Sequence, residues 1–333
     1  MINPYANVNW PAAQHIKSFS HMHATTQSFF NLAVQDGYQH FAISNYVPSE
    51  PIYPLADRFT NIPSGIVGSP NSEKTNTTNN GGHFNALGSF AVGHGQDEDS
   101  VAVTWQQAFD EILSQLQFPD GGGITLNHPD DHNLSLRCNM LDYDERVLGI
   151  EIYNRVIDVN KGNPNYLTNS LAFWDKILRT GRRCWGFCVV DWQIEKYAPH
   201  YGSNILLVPD LTEQDCLRAY RSGAFYSQIM DNGLRFNRID VSDSAVNVSV
   251  NKPATINVVT DVGVVATSQG TECSYIIKNK DIFVRVEAVE DGVEDSHIFS
   301  NPIMLKSVND LAKENEGIVA KKKRIKKFLI ISG

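Results

Sequence analysis

The first 230 residues alternate short apolar runs with helix-like stretches, and that alternation most constrains the fold. Candidate strands are Ile16–Phe19, His40–Ser44, Leu87–Val92, Gly123–Leu126, Leu148–Tyr153 and Trp185–Val190. Each is short and bounded by Gly, Asn, Asp or Pro, as buried strands usually are. Between them lie amphipathic stretches. Trp105–Leu116 puts Phe109, Ile112, Leu113 and Leu116 on one face, and Asn169–Arg179 does the same with Phe173, Ile177 and Leu178. Thr212–Ser222 opens on a threonine cap followed by acidic residues and ends at Gly223. Strand–helix alternation of this kind predicts an α/β layer or barrel with a mainly parallel sheet.

The pattern changes after about Asn232. Phe236–Val241, Val246–Val250, Thr255–Val259, Cys273–Lys278 and Ile282–Ala288 read as successive strands with turns between them and no helical period. A small antiparallel β-sandwich is the expected form. The domain reading is therefore 1–232, 233–306 and a polar, basic tail 307–333, within which Lys321–Lys327 is expected to be solvated. Pro70–Gly82, polar and ending in two glycines, reads as a long loop.

Composition removes several function classes. No window approaches the roughly 18 consecutive apolar residues of a membrane span. A net charge of −9 argues against a general nucleic-acid binder. Met1–Trp10 lacks the basic and apolar segments of a secretory signal, so a cytoplasmic protein or a mature exported one is expected. The five cysteines have no paired spacing and read as reduced core thiols. There is no Gly-x-Ser-x-Gly for a serine hydrolase, and Gly93-His94-Gly95 is followed by acids that would repel a pyrophosphate.

The histidines carry the chemistry. His21 and His23 form an H-x-H just after the first strand, where residues two apart in an extended chain point the same way. His128 follows Gly123–Leu126 directly, and Asp191 follows Trp185–Val190. Four such side chains at the downstream ends of three parallel strands converge on one face, where α/β barrels place their active sites. Taken singly, Asp191 reads equally well as a helix cap, and His128 as a buried histidine bonded to backbone. His132 is at best a supporting residue.

These residues resemble the PHP (polymerase and histidinol phosphatase) superfamily of metal-dependent phosphoesterases. The resemblance spans roughly Ile16 to Ser227 and rests on His21-Met22-His23, Gly82-His83-Phe84-Asn85-Ala86-Leu87-Gly88, Asn127-His128-Pro129, Val190-Asp191-Trp192 and Ser222-Gly223-Ala224-Phe225-Tyr226. It implies a distorted (β/α)7 barrel followed by the sandwich. It implies two adjacent divalent ions: one on His21, His23, Asp191 and a bridging carboxylate, the other on that carboxylate, His83 and His128. Glu73 is the only acidic residue between Asp57 and Asp97 and takes the bridging position, although it also reads as a solvated loop residue. Zinc, iron and manganese all suit such donors.

The family's third metal would need histidines where this chain has Phe29, Tyr46 and Gln193, so two ions and no third are expected. The implied reaction is attack of a metal-bridging hydroxide on a small anionic phosphomonoester or phosphodiester, with Glu73, Asp191 and His128 as catalytic residues. Asn154, Arg155, Arg182 and Arg183 could orient substrate oxygens, and Tyr46 and Gln193 could contact substrate in the vacated third site. Two other readings stay open: hydrolysis of a carboxylic or carbamic ester, and a non-catalytic binding or scaffold protein with a degraded site. No nucleic-acid or membrane partner is expected; self-association is possible.

Overall fold

The computed structural model describes residues 1–24, 26–44, 53–75, 77–78, 82–91, 103–129, 133–160, 166–192, 201–293 and 296–317. Within them the fold is mixed α/β. Five of the six sequence-read strands form within three residues of where the pattern puts them. The sixth, Leu87–Val92, is displaced to Phe84–Leu87. All four of its residues are buried, Asn85 among the apolar Phe84, Ala86 and Leu87, and the strand ends at Gly88, whose φ is 75°.

Backbone ladders gather these strands into an eleven-stranded sheet, a five-stranded sheet and two short pairs, and do not draw one closed seven-stranded ring. In the larger sheet, Gln14–Phe19 pairs in parallel with Tyr38–Phe41, which pairs in parallel with Val67–Gly68. On its other side, Gln14–Phe19 pairs antiparallel with Tyr201–Val208. The smaller sheet runs Trp185–Val189, Val147–Asn154, Gly123–Leu126, Phe84–Leu87, Glu73–Lys74; the first three strands are parallel and the last two antiparallel to their neighbours. The mainly parallel sheet read from the sequence is therefore a mixed one.

Side chains stitch the two sheets where the backbone ladder stops. The Asn204 amide accepts from Cys188 N and donates to Cys188 O, both at 3.2 Å, as a neighbouring strand's peptide group would. Ser227 Oγ donates to Gly186 O at 2.5 Å, and Asn301 Oδ1 accepts from Gly186 N at 3.0 Å. The close approach depends on Gly202: at φ 80°, a Cβ there would stand 2.2 Å from Val189 O.

Helices cover the sheets as their apolar faces require. Trp105–Ser114 begins with a capping box between Thr104 and Gln107 and buries Phe109 and Ile112 in one core cluster with Ile124 and Leu126. Tyr166–Leu178 adds Phe173, Trp174, Ile177 and Leu178 to that cluster. Glu213–Ser222 starts at the Thr212 cap and stops at Gly223, which is left-handed. The helix Gln27–Gln35 was not evident from periodicity, because its buried residues are only Phe29, Phe30 and Ala33.

The C-terminal strands are antiparallel, as their pattern predicts, but they join the larger sheet through the pairing of Phe225–Met230 with His297–Ser300. The ladders thus continue across residue 232. Val246–Val250 and Thr255–Val259 merge into one strand, Ala245–Thr260, whose register breaks between Ser249 and Ala254, around Pro253, which has no N–H to donate. Residues 308–317 are helical, while Lys321–Lys327 lies outside the described residues. The five cysteines are free and buried. No helix among the described residues is long and apolar enough to cross a membrane.

Candidate metal centre

Glu73 is where the structure departs most from the sequence reading. The segment taken as a loop holds a two-residue strand, Glu73–Lys74, paired antiparallel with Phe84–Leu87 so that Glu73 faces Asn85 and Lys74 faces Phe84. The alternation of a strand then sends the two side chains opposite ways. Lys74 Nζ meets Glu111 Oε2 at 2.8 Å, and Glu73 is fully buried among histidines.

A second short pair brings two distant motifs together. Met22–His23 and Asp191–Trp192 are parallel partners, and Asp191 N donates to His21 O at 3.1 Å. Asp191 has φ 69° and His128 φ 21°, two of the three positive values at non-glycine residues among the described residues. Such backbone costs free energy and persists where surrounding contacts enforce it, often at functional sites.

The structure brings all six proposed ligands together as two groups that share Glu73. One contains His21, His23, Glu73 and Asp191; the other contains Glu73, His83 and His128. Within each group the donor atoms lie within 4.8 Å of one another. His21 Nε2 is 3.2 Å from His23 Nε2, 3.4 Å from Glu73 Oε2 and 3.4 Å from Asp191 Oδ1. His23 Nε2 is 2.9 Å from Glu73 Oε2 and 3.6 Å from Asp191 Oδ1. Four donors at bonds of about 2.1 Å around a tetrahedral ion would be separated by about 3.4 Å, so this group has the edge lengths a cation needs. The other Glu73 oxygen, Oε1, lies 3.2 Å from His83 Nδ1 and 3.6 Å from His128 Nε2.

The charges are compact, and His21 and Glu73 are fully buried. Burial alone would depress the His21 imidazole, but Asp191, Glu73 and Glu151 outweigh it and hold it well above its ordinary value. Burial would raise Glu73; His21, with hydrogen bonds from His128, His21 and His23, instead holds it well below the usual carboxylate range. Among the described residues no lysine or arginine pairs with Glu73, Glu151 or Asp191. Among the described residues the basic partners of these three carboxylates are histidines, which are also the side chains that ligate metals.

Three supporting residues escaped the sequence reading. Asn127 Nδ2 donates to Glu73 Oε1 at 2.8 Å. Asn85 Nδ2 donates to Ser20 O at 3.1 Å and steadies the chain entering His21. Glu151 accepts from His21 Nδ1. The signal for Glu151 was present: it is the one charge in the strand Val147–Asn154, all eight residues of which are buried.

The sequence-read substrate residues fare differently. Asn154 is buried and donates through Nδ2 to Glu151 Oε2 and Asp191 Oδ2, both at 2.9 Å, so it faces the ligand Asp191 and its neighbour Glu151 rather than open space. The Arg155 guanidinium lies 3.9 Å from the centre of the Tyr201 ring and reaches the Tyr153 hydroxyl at 3.3 Å. Arg182 grips Asp142 with two hydrogen bonds, and Arg183 donates to Glu145 O and Val147 O. Both precede Trp185–Val189 while Asp191 follows it, so a strand of five residues, roughly 16 Å, separates these arginines from the centre. Phe29 is buried in an apolar cluster with Met22, Ala24 and Val190 and offers no ligating atom. Tyr46 and Gln193, and also His94 and His132, lie outside the described residues.

No protein-family model matches the chain, and no curated protein does. Among solved structures the chain is similar to a two-domain protein from Bacteroides vulgatus ATCC 8482 that contains a predicted PHP-like metal-dependent phosphoesterase. The two are 13% identical, with 92% of this chain and 97% of that chain covered and a TM-score of 0.48.

Proposed function

We propose that the chain is a metal-dependent hydrolase of the PHP type that uses two divalent ions to cleave a phosphomonoester or phosphodiester. The observation that carries this reading is the Glu73 carboxylate, which turns one oxygen to each of two donor groups. His21, His23, Asp191 and Glu73 would hold one ion, and Glu73, His83 and His128 the other. Nitrogen and oxygen donors in this mixture suit zinc, iron or manganese. Bound there, the ions supply Lewis acidity and a hydroxide nucleophile at neutral pH.

The protein's own part is to orient and to exclude water. In the four-donor group the most exposed side chain is Asp191 at 12%, whereas the His83 and His128 side chains are 33% and 17% exposed, so the ester is proposed to approach from their side. Trp192, 48% exposed with its ring 5.4 Å from that of His23, marks the rim. Asn154 is reassigned to holding Asp191. Arg155, Tyr46 and Gln193 stay proposed as substrate contacts, and residues 1–232 as the catalytic part.

Zinc and manganese uptake, followed by assays on 4-nitrophenyl phosphate, bis(4-nitrophenyl) phosphate and 4-nitrophenyl acetate, tests the proposal. Two ions per chain and turnover of a phosphate ester are expected; His128→Ala should lose the turnover and the ion of its own group. Turnover of the acetate alone would favour the carboxylic-ester reading. Failure to take up either metal would leave the non-catalytic one.

A further inference from the structure

Glu151 is fully buried at the middle of the strand Val147–Asn154, and both its oxygens act as acceptors. Oε1 lies 2.5 Å from His21 Nδ1. Oε2 accepts from the His128 backbone N–H at 2.8 Å and from Asn154 Nδ2 at 2.9 Å. The same Asn154 amide also reaches Asp191 Oδ2. One carboxylate thus touches a ligand of the four-donor group, holds the backbone of a ligand of the three-donor group at its φ of 21°, and reaches Asp191 through one intermediary.

A carboxylate acting as acceptor requires Nδ1 of His21 to carry the proton. In the neutral ring that a cation requires, Nε2 then keeps its lone pair, aimed at the space shared with Glu73 Oε2 and Asp191 Oδ1. We propose that Glu151 is a positioning residue that locks His21 in the Nδ1-protonated tautomer and ties both donor groups to one strand. The inference rests on the two-ion reading above and adds to it a residue outside the ligand set.

The lock has a sharp consequence. A glutamine in this place has one acceptor and one donor end. Two N–H groups, one of them fixed backbone, converge on the Oε2 side, so the amide oxygen settles there. Its NH2 then faces His21 Nδ1, which must become an acceptor. The imidazole proton moves to Nε2, where it occupies the space of a cation. Glu151→Gln, nearly identical in shape, should lose the ion of the four-donor group and keep the other.

The test uses zinc alone as the probe. Bound zinc is counted by mass spectrometry under native conditions, and the His21 tautomer is read from long-range proton–nitrogen NMR of the zinc-loaded protein. Wild type should carry two zinc ions and show His21 protonated at Nδ1. Glu151→Gln should carry one and show His21 protonated at Nε2, with an unchanged near-ultraviolet circular dichroism spectrum. Glu151→Asp keeps an acceptor-only group and should retain the wild-type tautomer, with zinc affinity lower by about 10–100-fold. The lock is overturned if Glu151→Gln keeps two zinc ions, or loses zinc with His21 still protonated at Nδ1. Should that variant not fold, wild type decides: a His21 protonated at Nε2 overturns the lock. Wild type that takes up no zinc overturns the two-ion reading itself, a distinct outcome.

Discussion

The Asn127 side-chain amide donates to Glu73 Oε1 at 2.8 Å and so fixes the plane of the one carboxylate that both donor groups share. Asn127 follows Leu126 at the end of the strand Gly123–Leu126, and its own N–H donates to His83 O at 3.0 Å. Asn127→Ala frees the carboxylate to rotate. Zinc affinity should fall by about 10–100-fold, read by competition with a chromogenic chelator, while the melting temperature of the metal-free protein changes little.

Ions that bind only the folded chain must stabilise it. Zinc at a hundredfold excess over its dissociation constant should add about 2.7 kcal/mol per site, visible as a higher melting temperature that a chelator reverses. In His23→Ala the gain should shrink to the contribution of the Glu73, His83 and His128 group. An equal zinc response in wild type and variant would count against the ligand assignment.

His40 gives the fold an acid-sensitive point away from the site. Its ring is fully buried between Ser18 Oγ at 2.7 Å and Ser69 Oγ at 2.8 Å, and burial pushes its pKa down to about 3 from 6.5. Between these values the unfolded chain binds the proton and the folded chain does not, so stability falls as pH drops through that window. The slope approaches about 1.4 kcal/mol per pH unit for this one group. Urea unfolding from pH 7 to pH 4 should show a shallower decline in His40→Asn than in wild type.

Asn204 replaces a peptide group at the seam between the sheets, and removing it strands two buried backbone groups of Cys188. Asn204→Leu should destabilise by roughly 1–3 kcal/mol for each group left unpaired. Urea titration measures this directly. A loss below about 1 kcal/mol would mean that the seam is held by its apolar contacts.

Arg285 is buried with Asp175, which it grips through two nitrogens at 2.8 and 3.1 Å, and its guanidinium also pairs with Glu287. Arg285→Met alone leaves buried carboxylates and should cost about 3–5 kcal/mol. Replacing Asp175 by Leu in the same chain should recover part of that loss in thermal unfolding, because the pair's desolvation is then removed together.

Much of the centre was legible because its chemistry is written in residue type and local position. His21, His23, His128 and Asp191 each follow an apolar strand, and a strand end is a short-range property. The helices beginning at Trp105 and after Thr212 were equally legible, since caps and periodicity act within a few turns. Glu73 was named, but its setting was misread: a two-residue strand has too little pattern to stand out, and pairing with Asn85 and Phe84 creates it. Glu151, Asn127 and Asn204 were missed because their roles lie in partners 130, 54 and 16 residues away.

The sequence by itself determined which side chains could bind cations, and which segments prefer strand or helix, because both follow from side-chain chemistry and neighbours along the chain. Tertiary structure alone decided that one Glu73 oxygen faces each donor group, that the C-terminal strands extend the larger sheet, and that asparagine bridges stand in for missing backbone pairs. Those outcomes depend on which backbone edges meet. Strand pairing is nearly indifferent to side-chain identity, so it is settled only when the buried faces of distant segments close on one another.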